Sequence, residues 1–138
     1  MKTLLRVIAI FSLAGTSAAV YGNEKLKTYT EHTSWCYVLD EYYAINGLKD
    51  LGSERQMNLF SNFIWAFSEQ NKHSKRLNED PLLFSMAFNR FTSLRRIELR
   101  KILNSPEIHL DDIKVVNKLY NNFKCKNYES LKLNTEGV

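Results

Sequence analysis

Hydrophobic positions recur along this chain at helical rather than strand spacing. Cys36, Leu39 and Tyr43 fall at i, i+3 and i+7, with Val38, Tyr42 and Ile45 beside them. That spacing predicts a first helix that buries one face. Thr28-Tyr29-Thr30-Glu31 has the form of a capping box for its start, and Thr33 or Ser34 offers a later one. Its end falls near Asn46, where Gly47 can take the left-handed conformation that closes many helices. A second capping box, Ser53-Glu54-Arg55-Gln56, precedes an apolar run over residues 57–71. Met57, Phe60, Phe63, Ile64 and Phe67 make one stripe there, and Leu59, Trp65 and Ala66 widen it. A helix apolar on more than one side is usually central, so Phe60, Phe63 and Phe67 are expected to be buried by the first and third helices.

Residues 72–78 read as a polar, basic connection. Asp80-Pro81 then gives an N-cap followed by proline at the first helical position. The third helix is predicted to reach Leu103, with Leu83, Phe84, Ala87, Phe88, Phe91 and Leu94 as its stripe. Arg95, Arg96, Glu98, Arg100 and Lys101 crowd its second half, and Arg95 and Glu98 fall on the line of Phe84 and Phe91. Charges packed this densely are hard to desolvate together, so exposure at the end of the bundle is expected. The last helix starts at Ser105-Pro106-Glu107 or at Asp111-Asp112, carries Ile113, Val116, Tyr120 and Phe123, and ends at Cys125. Residues 126–138 form a polar tail. There is no alternating run and no hairpin signal, and the chain has only 5 Gly and 2 Pro. The expected fold is all-α: a compact bundle of four main helices.

The N-terminus changes the picture. Lys2 and Arg6 precede a short apolar run, residues 7–15, and Ser17-Ala18-Ala19 supplies small residues. This is the form of a secretory signal peptide, residues 1–19, with cleavage after Ala19, or alternatively after Ala18 or Gly22. A membrane anchor is the competing reading, but the run falls short of the roughly 20 residues a spanning helix needs. The remainder, residues 20–138, has the size of one domain. Without Lys2 and Arg6 the excess of basic over acidic residues falls from +4 to +2. Neither this balance nor export favours nucleic acid as a partner. Export to the periplasm is expected, with an extracellular destination as the alternative.

Export also bears on the cysteines. Two cysteines in an exported chain most often form one disulfide. A Cys36–Cys125 bond would join the first helix to the end of the last. The alternatives are two separate buried thiols, or a redox pair for which there is no Cys-x-x-Cys spacing.

No arrangement for chemistry emerges. His32, His73 and His109 lack metal-ligand spacing. There is no nucleophile elbow and no phosphate-cradling glycine loop. Glu79-Asp80 and Asp111-Asp112 sit at predicted helix starts, where negative charge favours the helix without any catalytic role. The chain is therefore expected not to be an enzyme and to use neither metal nor cofactor. What remains is surface. Arg95, Arg96, Arg100 and Lys101 could dock an acidic protein, since arginine binds carboxylates bidentately. Tyr42 and Tyr43 are neighbours on one helix, so one of them, Tyr42, is expected to be exposed to a partner.

Ser34-Trp35-Cys36 opens the cysteine-bearing part of the first helix, and Phe123-Lys124-Cys125 closes the last. In this layout the chain resembles the small helical periplasmic immunity proteins of type VI amidase effectors. It is also similar to the periplasmic acid-stress chaperones of the HdeA type. The first resemblance implies a non-catalytic protein that occludes a toxin or effector, and the second a stress chaperone. A small exported effector or enzyme is the third reading. The partner is expected to be another protein with an acidic surface, or a second copy of the chain in a homodimer.

Overall fold

The computed structural model describes residues 17–50, 52–103 and 110–128, with side chains from residue 24 onward. Among them run α1 (Ser17–Ile45), α2 (Ser53–Gln70), α3 (Lys75–Glu79), α4 (Leu82–Leu103) and α5 (Leu110–Asn122), followed by a 3-10 turn at Cys125–Tyr128. No strand occurs among the described residues, so the fold is all-α. Four helices are long, as expected. The fifth, α3, lies where a plain connection was predicted.

The first helix begins earlier than its cap signals implied. Thr28, Thr33 and Ser34 all lie inside α1. The Thr33 hydroxyl donates to the Tyr29 carbonyl at 2.8 Å, Thr30 to Lys27 at 2.8 Å, and Ser34 to Glu31 at 2.8 Å. A hydroxyl satisfied on the preceding turn needs no helix terminus. Small side chains at these positions also let a neighbouring helix approach, and Thr30, Thr33 and Ser34 are all buried. The predicted C-terminus holds. Gly47 has φ +68°, its N–H donates to Ala44 O at 3.0 Å, and Leu48 N–H donates to Tyr43 O at 2.8 Å. That is a Schellman closure, and it needs a residue at ease in the left-handed region.

The second helix starts at Ser53 rather than 57. Ser53 does not cap it; Gly52 holds the cap position with no side-chain bond. Its inner face is Asn58, Leu59, Asn62, Phe63 and Ala66. Phe63 is fully buried, whereas Phe60 and Phe67 are half-buried and Met57 is exposed. Phe63 is the hub of an aromatic cluster with α4, its ring centroid 5.2 Å from Phe88, 5.1 Å from Phe91 and 5.8 Å from Phe67.

Ser74 caps the short α3, accepting from Leu77 N–H at 3.4 Å. Asp80 caps α4 through Leu82 N–H at 3.1 Å, with Pro81 in between, as the sequence predicted. The core face of α4 is Phe88, Thr92 and Leu99. This is rotated from the expected stripe, because Phe88 is gripped by Tyr37, Phe60 and Phe63. Leu94 consequently turns outward and is 47% exposed. The Ser105-Pro106-Glu107 start and His109 lie outside the described residues. Asp111 and Asp112 stand in the first turn of α5.

A second core joins α1, α5 and the start of α2 around Cys36, Leu39, Tyr43, Leu59, Val116 and Cys125. The disulfide Cys36–Cys125 spans it, both cysteines wholly buried and their Cα atoms 5.3 Å apart. Lys124 adopts φ +53° directly before Cys125, which reverses the chain after α5. The adjacent residues stack as well: the Trp35 and Phe123 rings lie 4.9 Å apart and nearly parallel. Closing a loop of 89 positions is worth about 4–5 kcal/mol in the chain-entropy model.

Candidate functional site: an open groove beside a clasped core

Most of the predicted docking groups are engaged within the chain. Arg95 Nη1 donates to both Glu98 oxygens, at 3.2 and 3.1 Å, and Nε reaches the Ser34 hydroxyl at 3.4 Å. Its guanidinium lies over the Trp35 ring at 5.6 Å, and its side chain is only 16% exposed. The expected exposure of Arg95 is therefore corrected. A planar guanidinium can cover an indole face while its edge stays paired, and Glu98 leaves part of the pair in solvent. Arg96 makes a bidentate pair with Glu41, both bonds 2.8 Å, which ties α4 to α1. The Glu41 hydrogen bond holds the Arg96 pKa above its usual value. Only Arg100 and Lys101 stand exposed, with no acidic partner among the described residues.

Tyr42 is partly buried rather than exposed. It packs against the disulfide core, and its hydroxyl is buried with no hydrogen-bond partner among the described residues. Burial, and then the Asp112 carboxylate, raise its pKa. Both adjacent tyrosines go inward because the core spreads around this side of α1: Tyr43 donates to Asn117 and meets the Tyr120 ring at 5.6 Å.

An ion pair absent from the sequence reading clasps this end of the molecule. Arg55, in the first turn of α2, donates through Nε to the Asp40 carboxylate. Its Nη2 donates to the Tyr120 hydroxyl at 2.9 Å and to the Cys125 carbonyl at 3.1 Å. One side chain thus joins α1, α2, α5 and the disulfide. Burial pushes the Asp40 pKa up, and the Arg55 hydrogen bond and charge pull it back only in part. Lys49 lies over the Tyr43 and Tyr120 rings, 4.8 and 4.4 Å from their centroids. In sequence Arg55 looked like the interior of a capping box; only the arrival of α5 gives it its partners.

An open feature among the described residues lies elsewhere. A groove of about 660 Å3 runs between the end of α2, α3 and the first half of α4, lined by Phe67, Arg76, Leu77, Leu83, Met86, Ala87, Arg90, Phe91 and Leu94. Its lining holds two cations and no anion. Arg76 and Arg90 are exposed, and neither has an acidic partner among the described residues. The groove exists because α4 has two apolar faces. Phe84, Phe88 and Phe91 turn toward α2, while Met86, Leu94 and Ile97 turn outward and are each roughly half exposed. The outward series 83, 86, 90, 94, 97 keeps helical spacing and was present in the sequence, but a single-stripe reading merged Leu83 and Leu94 into the core.

No group of three metal-ligating side chains occurs among the described residues, and none of the described helices is long and apolar enough to cross a membrane. Fold and site define a class: an all-α, disulfide-clasped bundle that carries an open apolar groove edged by arginine. No protein-family model, curated protein or solved structure matches the chain.

Proposed function

We propose that this chain is an exported, non-catalytic binding protein that engages another protein through the groove between α2, α3 and α4, most concretely as an immunity or inhibitor protein that occludes a toxin or effector. The observation carrying this reading is the groove itself. An apolar trough edged by arginines that have no acidic partner among the described residues, set on a frame held by a buried disulfide, suits protein recognition. A clasped frame also presents the trough with little ordering cost on binding. Export rests on the basic-then-apolar leader and its Ser17-Ala18-Ala19 end.

The test is capture from the native host with the tagged chain, run in parallel with Leu94→Asp. Each captured protein is then purified and titrated against both forms by calorimetry. A genuine partner binds the unaltered chain at least tenfold more tightly than Leu94→Asp, and its own activity falls when the chain is added. Equal binding of both forms would remove the groove from the reading. Mass analysis of the exported protein checks the leader, with a new N-terminus at Val20 as the expected result.

A further inference from the structure

We infer that the groove takes an acidic amphipathic helix of a partner protein, laid along the outer stripe of α4 with its carboxylates on Arg76 and Arg90. This rests on the binding reading above and specifies the partner's chemistry. The stripe from Leu83 to Ile97 covers 14 residue steps, roughly 21 Å at the rise of an α-helix, which matches about four turns of a partner helix. An apolar helix face seated in an apolar trough is a standard recognition mode.

The charges select among possible occupants. Arg90 lies at the midpoint of the series 83, 86, 90, 94, 97, in line with its apolar members rather than flanking them. Lys101 continues the same line, and Arg76 faces it from α3. In a symmetric pairing of two copies through this stripe, the central residue meets its own twin, so Arg90 would face Arg90 across a desolvated seam. Like charges there oppose a homodimer. A membrane surface fits poorly too. Interfacial helices keep their cations on the polar face, away from the buried apolar one, whereas here the arginine interrupts the apolar line. A helix with carboxylates opposite Arg76 and Arg90 satisfies both features at once: it covers Met86 and Leu94 and supplies the anions that the guanidinium forks lack among the described residues.

The experiment uses the full chain with its disulfide intact and three fluorescein-labelled 18-residue peptides read by anisotropy. One has a leucine face flanked by glutamates, one the same face flanked by lysines, and one alanine in place of leucine with the glutamates kept. The glutamate–leucine peptide should bind at least tenfold more tightly than either other. Arg76→Glu/Arg90→Glu should reverse the preference in favour of the lysine peptide, with an unchanged melting curve because both positions are exposed. Arg90→Gln alone should weaken the glutamate peptide several-fold, and Leu94→Asp should abolish binding of every peptide. Binding of the glutamate–leucine peptide should also weaken with added salt.

Equal affinity for glutamate and lysine peptides would overturn the acidic partner while leaving an apolar groove and the broader binding reading standing. Flotation of the chain with phosphatidylglycerol vesicles without peptide binding would replace it with a membrane surface. A dimer in sedimentation that Leu94→Asp dissociates would replace it with a second copy. Absence of binding by any peptide would also defeat it, whereas the binding reading falls only if host capture yields no Leu94-dependent partner.

Discussion

Replacing Arg55 with methionine should be among the most damaging single changes in the chain. Methionine keeps the unbranched stem out to the Nε position but carries no charge and makes none of the hydrogen bonds. Asp40 then stays buried with only the Tyr120 hydroxyl and the more distant Lys49 charge to offset its carboxylate, the Tyr120 hydroxyl loses a donor, and so does the Cys125 carbonyl. The side chains of Asp40 and Arg55 are 5% and 20% exposed, so solvent screens the pair little. Breaking one side of a buried pair costs about 3–5 kcal/mol. For a domain of this size that lowers the melting temperature on the order of 10–20 °C. The pH dependence gives the diagnostic. Burial already raises the Asp40 pKa, and Arg55 is the largest influence opposing it. Without Arg55 the folded-state pKa rises further. An acid whose pKa is raised on folding binds a proton more readily in the native state, so its ionisation costs stability as pH climbs through the folded pKa. The deficit of Arg55→Met should therefore be largest at pH 7 and shrink toward pH 4.5. Asp40→Leu/Arg55→Met should recover much of the loss, since a well-packed apolar pair can replace a buried ionic one. Urea titrations of the oxidised protein at both pH values measure this. A loss below about 1 kcal/mol at pH 7, or a deficit independent of pH, would refute the role assigned to the clasp.

Phe63→Ala should cost about 3–5 kcal/mol by urea denaturation, because Phe63 is wholly buried among three rings. Gly47→Ala should cost about 1–2 kcal/mol through backbone strain alone, since an added Cβ meets nothing within 4 Å while φ stays at +68°. The His32 pKa is lowered, chiefly by burial against Phe123, with Lys124 assisting and Glu31 opposing. Its contribution is then present above the ordinary value near 6.5 and lost as pH falls toward the depressed folded value. His32→Gln should accordingly flatten the decline in melting temperature between pH 6.5 and 5.

The helical class, the Gly47 closure, the Asp80 cap and the Cys36–Cys125 bond were all legible in the sequence. Each depends on local spacing, or on the pairing expected of exactly two cysteines behind an export-type leader. Less legible was anything decided between helices. Thr33 and Ser34 can cap a helix or sit inside one, and only the close approach of a neighbour decides which. Arg95 reads as exposed from its charged neighbourhood, but Trp35, sixty positions away in the chain, offers a ring to lie on. Arg96 finds Glu41 and Arg55 finds Asp40 for the same reason. The groove follows a like rule. Helical spacing shows that Leu83, Met86, Leu94 and Ile97 share a side of α4, but which of two apolar sides meets α2 is settled by the grip on Phe88.

The frame and the groove meet through α2, and this separates two kinds of disruption. Arg55 in its first turn holds the disulfide end, and Phe67 near its last turn forms the groove wall. They are twelve residue steps apart along the helix, roughly 18 Å at 1.5 Å per step. Cys36→Ser/Cys125→Ser removes a loop constraint and should lower stability by about 2–5 kcal/mol. It leaves Phe67, Arg76, Arg90 and Leu94 untouched. Below its melting temperature that variant should bind the glutamate–leucine peptide within about twofold of the parent, because altered residues more than 7–10 Å from a site usually act independently of it. Phe63→Ala is different in kind. Phe63 supports both Phe67 and Phe91 from beneath the groove floor, so its loss should weaken the peptide even where the variant is fully folded. Anisotropy titrations at 15 °C, on samples whose circular dichroism shows native helix content, compare the two. If the serine variant is folded and still loses the peptide, the disulfide end and the groove act as one body, and the division of α2 into an anchoring half and a binding half is wrong.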